Sequence, residues 1–258
     1  MADNIRPDEL TAQILKVLLE RNPNLPLQNI EDIILGCGYP EGSQGMLLAR
    51  SAAILAGIPI ETGAKVVNRL CGSSMDAIHQ ISRAVDIGDL EAGIAAGVED
   101  MFSIPMGGFN PDFHPELAEQ EYYIGMGETA EILAKEGQIS RDDQEQFSVE
   151  SHQKALDAWA SGRFNNEVVP IDVYGEAMVK KDEGPREPDL EKIKSLNPAF
   201  LENGTITPAT SSPISIGAAA ILITSRNFAE SKNLTARATI RSRGIAGVLP
   251  IAEFTSVV

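Results

Sequence analysis

Between Ala64 and Asp86 the hydrophobic pattern changes period once, and abruptly. Ala64 to Val67 is a short apolar run that reads as a buried strand. From Ser73 onward, Met75, Ile78, Ser82 and Val85 recur at helical spacing, with Arg83 and Asp86 on the outer side. A strand that passes so quickly into an amphipathic helix is the unit of layered α/β folds, so this stretch constrains the architecture more than any other. At the junction stands Cys71, one of only two cysteines in 258 residues. The pattern predicts Cys71 at the N-terminus of a helix from Ser73 to about Asp86, at the end of a central strand. A sulfur placed there lies near unpaired backbone N–H groups and the positive end of the helix dipole, which favour the nucleophilic thiolate. Gly72 leaves the backbone bare beside it, so that a substrate carbonyl can approach closely.

The same alternation recurs on both sides of the junction. Leu10, Ile14, Val17 and Leu18 form an apolar stripe from Asp8 to Glu20, a helix stopped by Asn22-Pro23. Ile30 to Leu35 reads as a strand ending in Gly36-Cys37-Gly38, followed by a helix from about Gln44 to Leu55, and Ala92 to Val98 reads as another strand. From about Met101 to Phe200 the character changes: Pro and Gly are frequent, helices are expected at about Glu128 to Lys135 and Arg141 to Ala160, and Lys180 to Asp189 is a charged loop. The α/β pattern resumes with a small-residue strand from Ile216 to Ile223, a short helix from Asn227 to Lys232, and a last strand from Ala236 to Arg241. No internal repeat is visible.

Composition narrows the possible functions. Two cysteines do not make a disulfide framework and suit a reducing, cytoplasmic setting. No apolar stretch approaches the ~18 residues of a membrane span, and Ala2-Asp3-Asn4-Ile5-Arg6 lacks the basic-then-apolar order of a signal peptide. A net charge of −16 argues against nucleic acid, whose phosphates need a basic surface. Cys37, closing a strand in a glycine turn, reads as structural. His114 sits in a loop without a carboxylate at ligand spacing, His152 lies mid-helix, and no metal site is expected.

Asn68-Arg69-Leu70-Cys71-Gly72-Ser73-Ser74-Met75 resembles the nucleophile signature of thiolases, which form and break carbon–carbon bonds in acyl-CoA chemistry. The resemblance continues through Ala95-Ala96-Gly97-Val98-Glu99-Asp100-Met101, Pro105-Met106 and Gly125-Met126-Gly127-Glu128-Thr129-Ala130-Glu131. It extends to Ile139-Ser140-Arg141-Asp142-Asp143-Gln144, Ser151-His152-Gln153-Lys154-Ala155 and Gly162-Arg163-Phe164. Asp182-Glu183-Gly184-Pro185-Arg186, Asn197-Pro198-Ala199-Phe200 and Gly204-Thr205-Ile206-Thr207 complete a series in family order from about Arg6 to Gly247. The Ser-Ser-Met after Gly72 and Asp112-Phe113-His114-Pro115 are similar to the bacterial 3-ketoacyl-CoA thiolases of fatty-acid β-oxidation.

This resemblance implies an α/β, thiolase-like layered fold: the N-terminal half and a loop domain, with the second half absent. The implied divisions are 1–100 for the first part of the α/β half, 101–200 for the loop domain, 201–247 for the return, and 248–258 for an atypical tail. The family's His base in a Gly-His-Pro motif, its second Cys in Cys-x-Gly, and its Asn-Glu-Ala-Phe segment do not occur in this sequence. By resemblance, Cys71 is the nucleophile of a 3-ketoacyl-CoA thiolysis, and coenzyme A is a substrate rather than a cofactor. Met126, Arg186 and Ser212 correspond to the family's coenzyme A contacts: Met to pack on pantetheine, Arg to meet adenine or phosphate, Ser to bond the pantetheine amide. Two positions depart from the family: Ile216-Gly217-Ala218 where Asp-Gly-Ala is common, and Pro208 where a small residue is usual. The implied partners are acyl-CoA and CoA, with a homodimer or tetramer, or a partner supplying the second half. The alternative is a catalytically inactive acyl-CoA-binding fragment.

Overall fold

The computed structural model describes residues 5–247, so the segment 248–258 expected as an atypical tail lies outside the described residues. Two compact units are present. The first holds residues up to Pro111, Val169–Lys180 and Ile214–Arg243; the second holds Asp112–Val168, Lys181–Pro213 and the residues from Gly244.

In the first unit the expected alternation becomes a four-stranded sheet. Its strands are β1 (Asp32–Gly36), β2 (Gly63–Val67), β3 (Ala92–Asp100) and β6 (Ile216–Thr224), in the order β2-β1-β3-β6. β1 runs parallel to β2 and β3, and β6 closes the other side antiparallel to β3. Side chains alternate across β1: Ile33 and Leu35 join a cluster with Leu10 and Leu15 of helix α1 (Pro7–Glu20) and Leu48, Ala49 and Ala52 of α2 (Leu48–Leu55). Ile34 points the other way, into Ala77 and Ile81 of α3 (Ser73–Ile87) and Ala95 of β3. Helices therefore cover both faces of the sheet, the solution expected for parallel strands whose two faces are apolar.

Local chemistry explains the element ends. Pro7 starts α1 at its first turn, where no intrahelical N–H is needed, with Asp8 and Glu9 against the positive dipole end. Gly88, at φ +83°, ends α3. Helix α2 begins at Leu48 rather than near Gln44, because the Gln44 amide is drawn into the interior and Met46 and Leu47 both adopt left-handed φ angles of 50° and 61°. A short hairpin absent from the sequence reading, β4 (Ile171–Val173) and β5 (Ala177–Val179), turns at Tyr174 and Gly175 and sends Ile171 and Val173 into the core beside α1. The Gln13 amide bonds both backbone groups of Asp172, at 2.8 and 2.9 Å, and fixes the hairpin to α1.

Two expectations are corrected. Residues 236–241, which are exposed, form no strand: in the described residues the sheet ends at β6. Just beyond, Arg243 bonds Ser82 at 2.7 Å and pairs with Asp86 on α3. Strand β2 is an edge strand, not a central one, since β1 is its only neighbour among the described residues.

The second unit is helical: α4 (Pro115–Glu119), α5 (Met126–Glu136), α6 (Arg141–Ala160) and α7 (Leu190–Lys194). Ser140 caps α6 by accepting the Asp143 N–H at 3.1 Å, while Asp143 reaches back to the Ser140 N–H. Arg141 binds the buried Glu145 at 2.7 Å and the carbonyls of Lys194 and Leu196, joining α6 to the end of α7. The remaining helix, α8 (Arg226–Ser231), belongs to the first unit; Ser225 caps it and Phe228 anchors it in the core.

Candidate active site

Cys71 is a free, exposed thiol on a tight turn between β2 and α3. The turn is built by its own side chains. The Leu70 N–H donates to Asn68 Oδ1 at 2.8 Å, and the Gly72 N–H donates to the Arg69 carbonyl at 2.9 Å. Ser73 Oγ accepts the Arg69 N–H at 2.8 Å and donates to the Leu70 carbonyl at 2.6 Å. These bonds hold Leu70 at φ +44°, a left-handed conformation that costs a non-glycine residue about 1–2 kcal/mol. Strain of this kind persists only where the surroundings over-determine it. Arg69 lies 3.3 Å from Asp76, in the first turn of α3, and ties the turn to the helix it precedes. The N–H groups of Gly72 and Ser73 are engaged within the turn, the latter by the Leu70 carbonyl at 3.0 Å. These two N–H groups are therefore not free donors toward the sulfur. A Cβ at Gly72 would meet Arg69 no closer than 3.4 Å, so that glycine is not demanded by space.

The start of α3 rests directly on the sheet. Gly36 and Gly97 face each other in the β1–β3 register, and Ser74 sits over the pair. A Cβ on Gly36 would lie 2.4 Å from Ser73 C and Ser74 N; one on Gly97 would lie 1.9 Å from Ser74 Oγ. Strand glycines of this kind mark a close backbone approach, and here that approach sets the height of the Cys71 turn above the sheet.

Beyond the end of β1, Glu99 of β3 gathers the returning loop. Its carboxylate accepts the N–H groups of Gly38 at 2.6 Å and Tyr39 at 3.3 Å and the Gln44 amide at 2.8 Å. The Cys37 sulfur lies 3.8 Å from it. Burial, and after it the Glu99 charge, push the Cys37 thiol up to about 12, so this buried cysteine is a protonated core residue, as its glycine-turn setting suggests.

The three residues matched to coenzyme A contacts all belong to the second unit, whereas Cys71 belongs to the first. Met126 opens α5 with an exposed side chain, next to Gly127, on which the Phe200 ring lies so close that a Cβ would fall 2.2 Å from it. Five residues along α5, the buried Glu131 accepts the Thr205 N–H at 2.9 Å, the Ile206 N–H at 2.8 Å and the Thr205 hydroxyl at 3.1 Å. Ser148 of α6 donates to the Ala209 carbonyl at 2.5 Å, and Ser211 Oγ donates to the Thr207 carbonyl at 2.8 Å. Ser212 follows this pinned turn and is exposed. The Arg186 N–H donates to His152 Nδ1 of α6 at 3.3 Å, leaving the Arg186 side chain exposed. Helices α5 and α6 thus anchor all three segments. His79 is buried in α3, and its Nδ1 has no partner among the described residues. No group of three or more His, Cys, Asp or Glu side chains among the described residues could hold a metal ion, and no helix there is long and apolar enough to cross a membrane.

Residues 1–227 match the family model of the thiolase N-terminal domain. The chain belongs to the thiolase family. It is 43% identical over 255 residues to a 3-ketoacyl-CoA thiolase of Photobacterium profundum, covering 96% of this chain and 66% of that protein. The corresponding protein of Shewanella loihica is 45% identical over 252 residues, with 95% and 65% covered. That of Aeromonas hydrophila is 44% identical over 252 residues, again with 95% and 65% covered. This thiolase chain therefore spans about 65% of the length of these curated relatives. Glu99, Glu131 and the Gly36–Gly97 pair were not singled out from sequence. The available signals were a glycine closing one apolar strand, a glycine inside another, and a carboxylate near the end of the second.

Proposed function

We propose that this chain carries the acyl-transfer nucleophile and the coenzyme A contacts of a 3-ketoacyl-CoA thiolase. The observation that carries the reading is the built turn that holds an exposed Cys71 immediately before α3, in a chain of the thiolase family. The Cys71 thiolate attacks the 3-keto carbon of a 3-ketoacyl-CoA. The bond between C2 and C3 breaks, its electron pair leaves on C2 as the enolate of acetyl-CoA, and protonation of that carbon releases acetyl-CoA. The shortened acyl group stays on the Cys71 sulfur as a thioester until the thiolate of a second CoA attacks its carbonyl carbon and regenerates Cys71. Both halves need a proton carrier and a donor for the oxyanion. The family's base is a His in a Gly-His-Pro motif, and none of His79, His114 and His152 stands in that context, so we assign the base, by resemblance, to the family's second half. Acylation of Cys71 by the chain alone is therefore slow, because losing one member of such a constellation costs several orders of magnitude.

Met126, Arg186 and Ser212 are assigned to pantetheine, the nucleotide end and the pantetheine amide respectively. The setting is cytoplasmic, in keeping with two unpaired cysteines. The assembly is a dimer or tetramer, or a complex with a partner supplying the second half. Exposed apolar side chains such as Met46, Ile60 and Met75 favour association. Intact-protein mass spectrometry after incubation with a 3-ketoacyl-CoA tests the reaction: an acyl adduct on Cys71, absent from Cys71→Ser, is expected. Tight CoA binding without any adduct, even with a thiolase C-terminal half added in trans, would instead leave an acyl-CoA-binding protein.

A further inference from the structure

We infer that Glu99 is a positioning residue for the Cys71 turn, acting through Gly38 and Asn68. It does not touch the turn itself. The link is a continuous run of hydrogen bonds within the first unit. Glu99 accepts the Gly38 N–H at 2.6 Å; the Gly38 carbonyl accepts Asn68 Nδ2 at 2.8 Å; Asn68 Oδ1 accepts the Leu70 N–H at 2.8 Å. Leu70 is the left-handed residue that turns the chain into Cys71. Both ends of the Asn68 amide are thereby used, one on the loop after β1 and one on the turn after β2. Two features make Glu99 more than one bond among many. Its carboxylate receives the Gly38 and Tyr39 N–H groups and the Gln44 amide together, more donors than the single oxygen of a neutral amide can satisfy. Gln44, fully buried, also accepts the Asp100 N–H at 2.6 Å, so the loop is clamped at both ends to the strand that carries Glu99. Gly38 admits the carboxylate at this range, since a Cβ there would stand 3.0 Å from Glu99 Oε2.

The inference rests on the reading of Cys71 as the reactive thiol, but its test reads turn geometry and not acyl transfer. In Glu99→Gln, the Leu70 amide is expected to exchange with solvent about fivefold faster, the change that loss of one net hydrogen bond produces. The rate of Cys71 alkylation by iodoacetamide should shift by a similar factor, while amides of Ala95 and Ala96 in β3 keep their protection. Asn68→Ala, a change at an exposed side chain that leaves the core intact, should reproduce the effect on Cys71. The double variant should do no more than the stronger single one, because both interrupt one path. Equal acceleration across β3 would reduce Glu99 to a general stability role and overturn the inference, as would additive effects or an unchanged Leu70 amide. If Glu99→Gln does not fold, Asn68→Ala decides alone: unchanged Gly38 exchange and Cys71 alkylation in it would break the proposed path. Failure of Cys71 to take an acyl group from a 3-ketoacyl-CoA, with these exchange and alkylation effects intact, would defeat the proposed function and leave this positioning role standing.

Discussion

Replacing Gly36 by alanine should lift the start of α3 off the sheet, and with it Cys71. The added Cβ would stand 2.4 Å from Ser73 C and Ser74 N and 2.7 Å from Ser74 Cα, all of them backbone atoms. Comfortable carbon contacts lie at about 3.5–4.0 Å, so the helix must retreat by roughly 1 Å. No rotamer change can relieve a clash with backbone, which puts the cost near the top of the overpacking range, about 3 kcal/mol. At about 2–4 °C per kcal/mol for a chain near this size, the melting temperature should fall by roughly 6–12 °C. A displacement of about 1 Å at a reacting atom can cost on the order of 10²-fold, so acylation of Cys71 should fall more than stability does. Gly97→Ala is the informative comparison. Its Cβ meets Ser74 Oγ at 1.9 Å and Ser74 Cβ at 2.9 Å, a side chain and not backbone. Ser74→Gly removes both atoms and should recover most of the loss from Gly97→Ala, less about 1 kcal/mol for a helical glycine. The same rescue should not help Gly36→Ala. Differential scanning fluorimetry and mass-resolved labelling of Cys71 read both quantities. A Gly36→Ala protein that melts with the wild type, or one rescued by Ser74→Gly as well as Gly97→Ala is, would refute this account of the seat.

Four further outcomes follow from the same geometry. The Cys37 thiol, pushed up to about 12 by burial first and the Glu99 charge second, stays protonated at neutral pH; native-state labelling with peptide mapping should find Cys71 modified and Cys37 untouched. Because this folded value exceeds the ordinary 9.0, the associated stability is fully present below pH 9 and lost as pH rises toward 12; urea unfolding at pH 8 and pH 11 should show a smaller difference in Cys37→Ala. Glu131→Ala should strand the N–H groups of Thr205 and Ile206 and cost about 2–4 kcal/mol, with hydrogen exchange rising along residues 204–212. Arg186→Ala should weaken CoA binding in calorimetry with little change in melting temperature, since its side chain is exposed; undiminished affinity would remove it from the proposed site.

The sequence announced the elements whose pattern is local. The helix from Ser73 was legible because its apolar positions repeat at helical spacing, and the helix expected from Arg141 to Ala160 is α6. What escaped depends on partners far along the chain. The hairpin at 171–179 has three-residue strands, too short to show alternation, and takes its stability from Gln13, nearly 160 residues earlier. Helix α2 starts late because Gln44 is drawn inward by Glu99 and Asp100, a pull that no window around Gln44 contains. The reading of Ala236 to Arg241 as a strand failed for the opposite reason, since a run with strand-like residues still needs a neighbour to pair with.

The candidate site divides along the same line. Residue type and context single out Cys71, because a thiol between a strand and a helix is unusual enough to be noticed. The residues that hold it in place are ordinary taken one at a time. A glycine in a strand, an asparagine in a turn and a glutamate at a strand end acquire meaning only from register: Gly36 opposite Gly97, and Glu99 beside Gly38. Register is set by the alternation of β1 between two cores, Ile33 and Leu35 toward one and Ile34 toward the other. A one-residue slip of β3 would turn its side chains to the opposite faces, separate the two glycines and leave Ser74 against a side chain. The packing that stabilises the sheet and the geometry that presents the thiol are therefore one constraint, and a core substitution that disturbs the β1–β3 register should be felt at Cys71 even though it touches nothing in the turn.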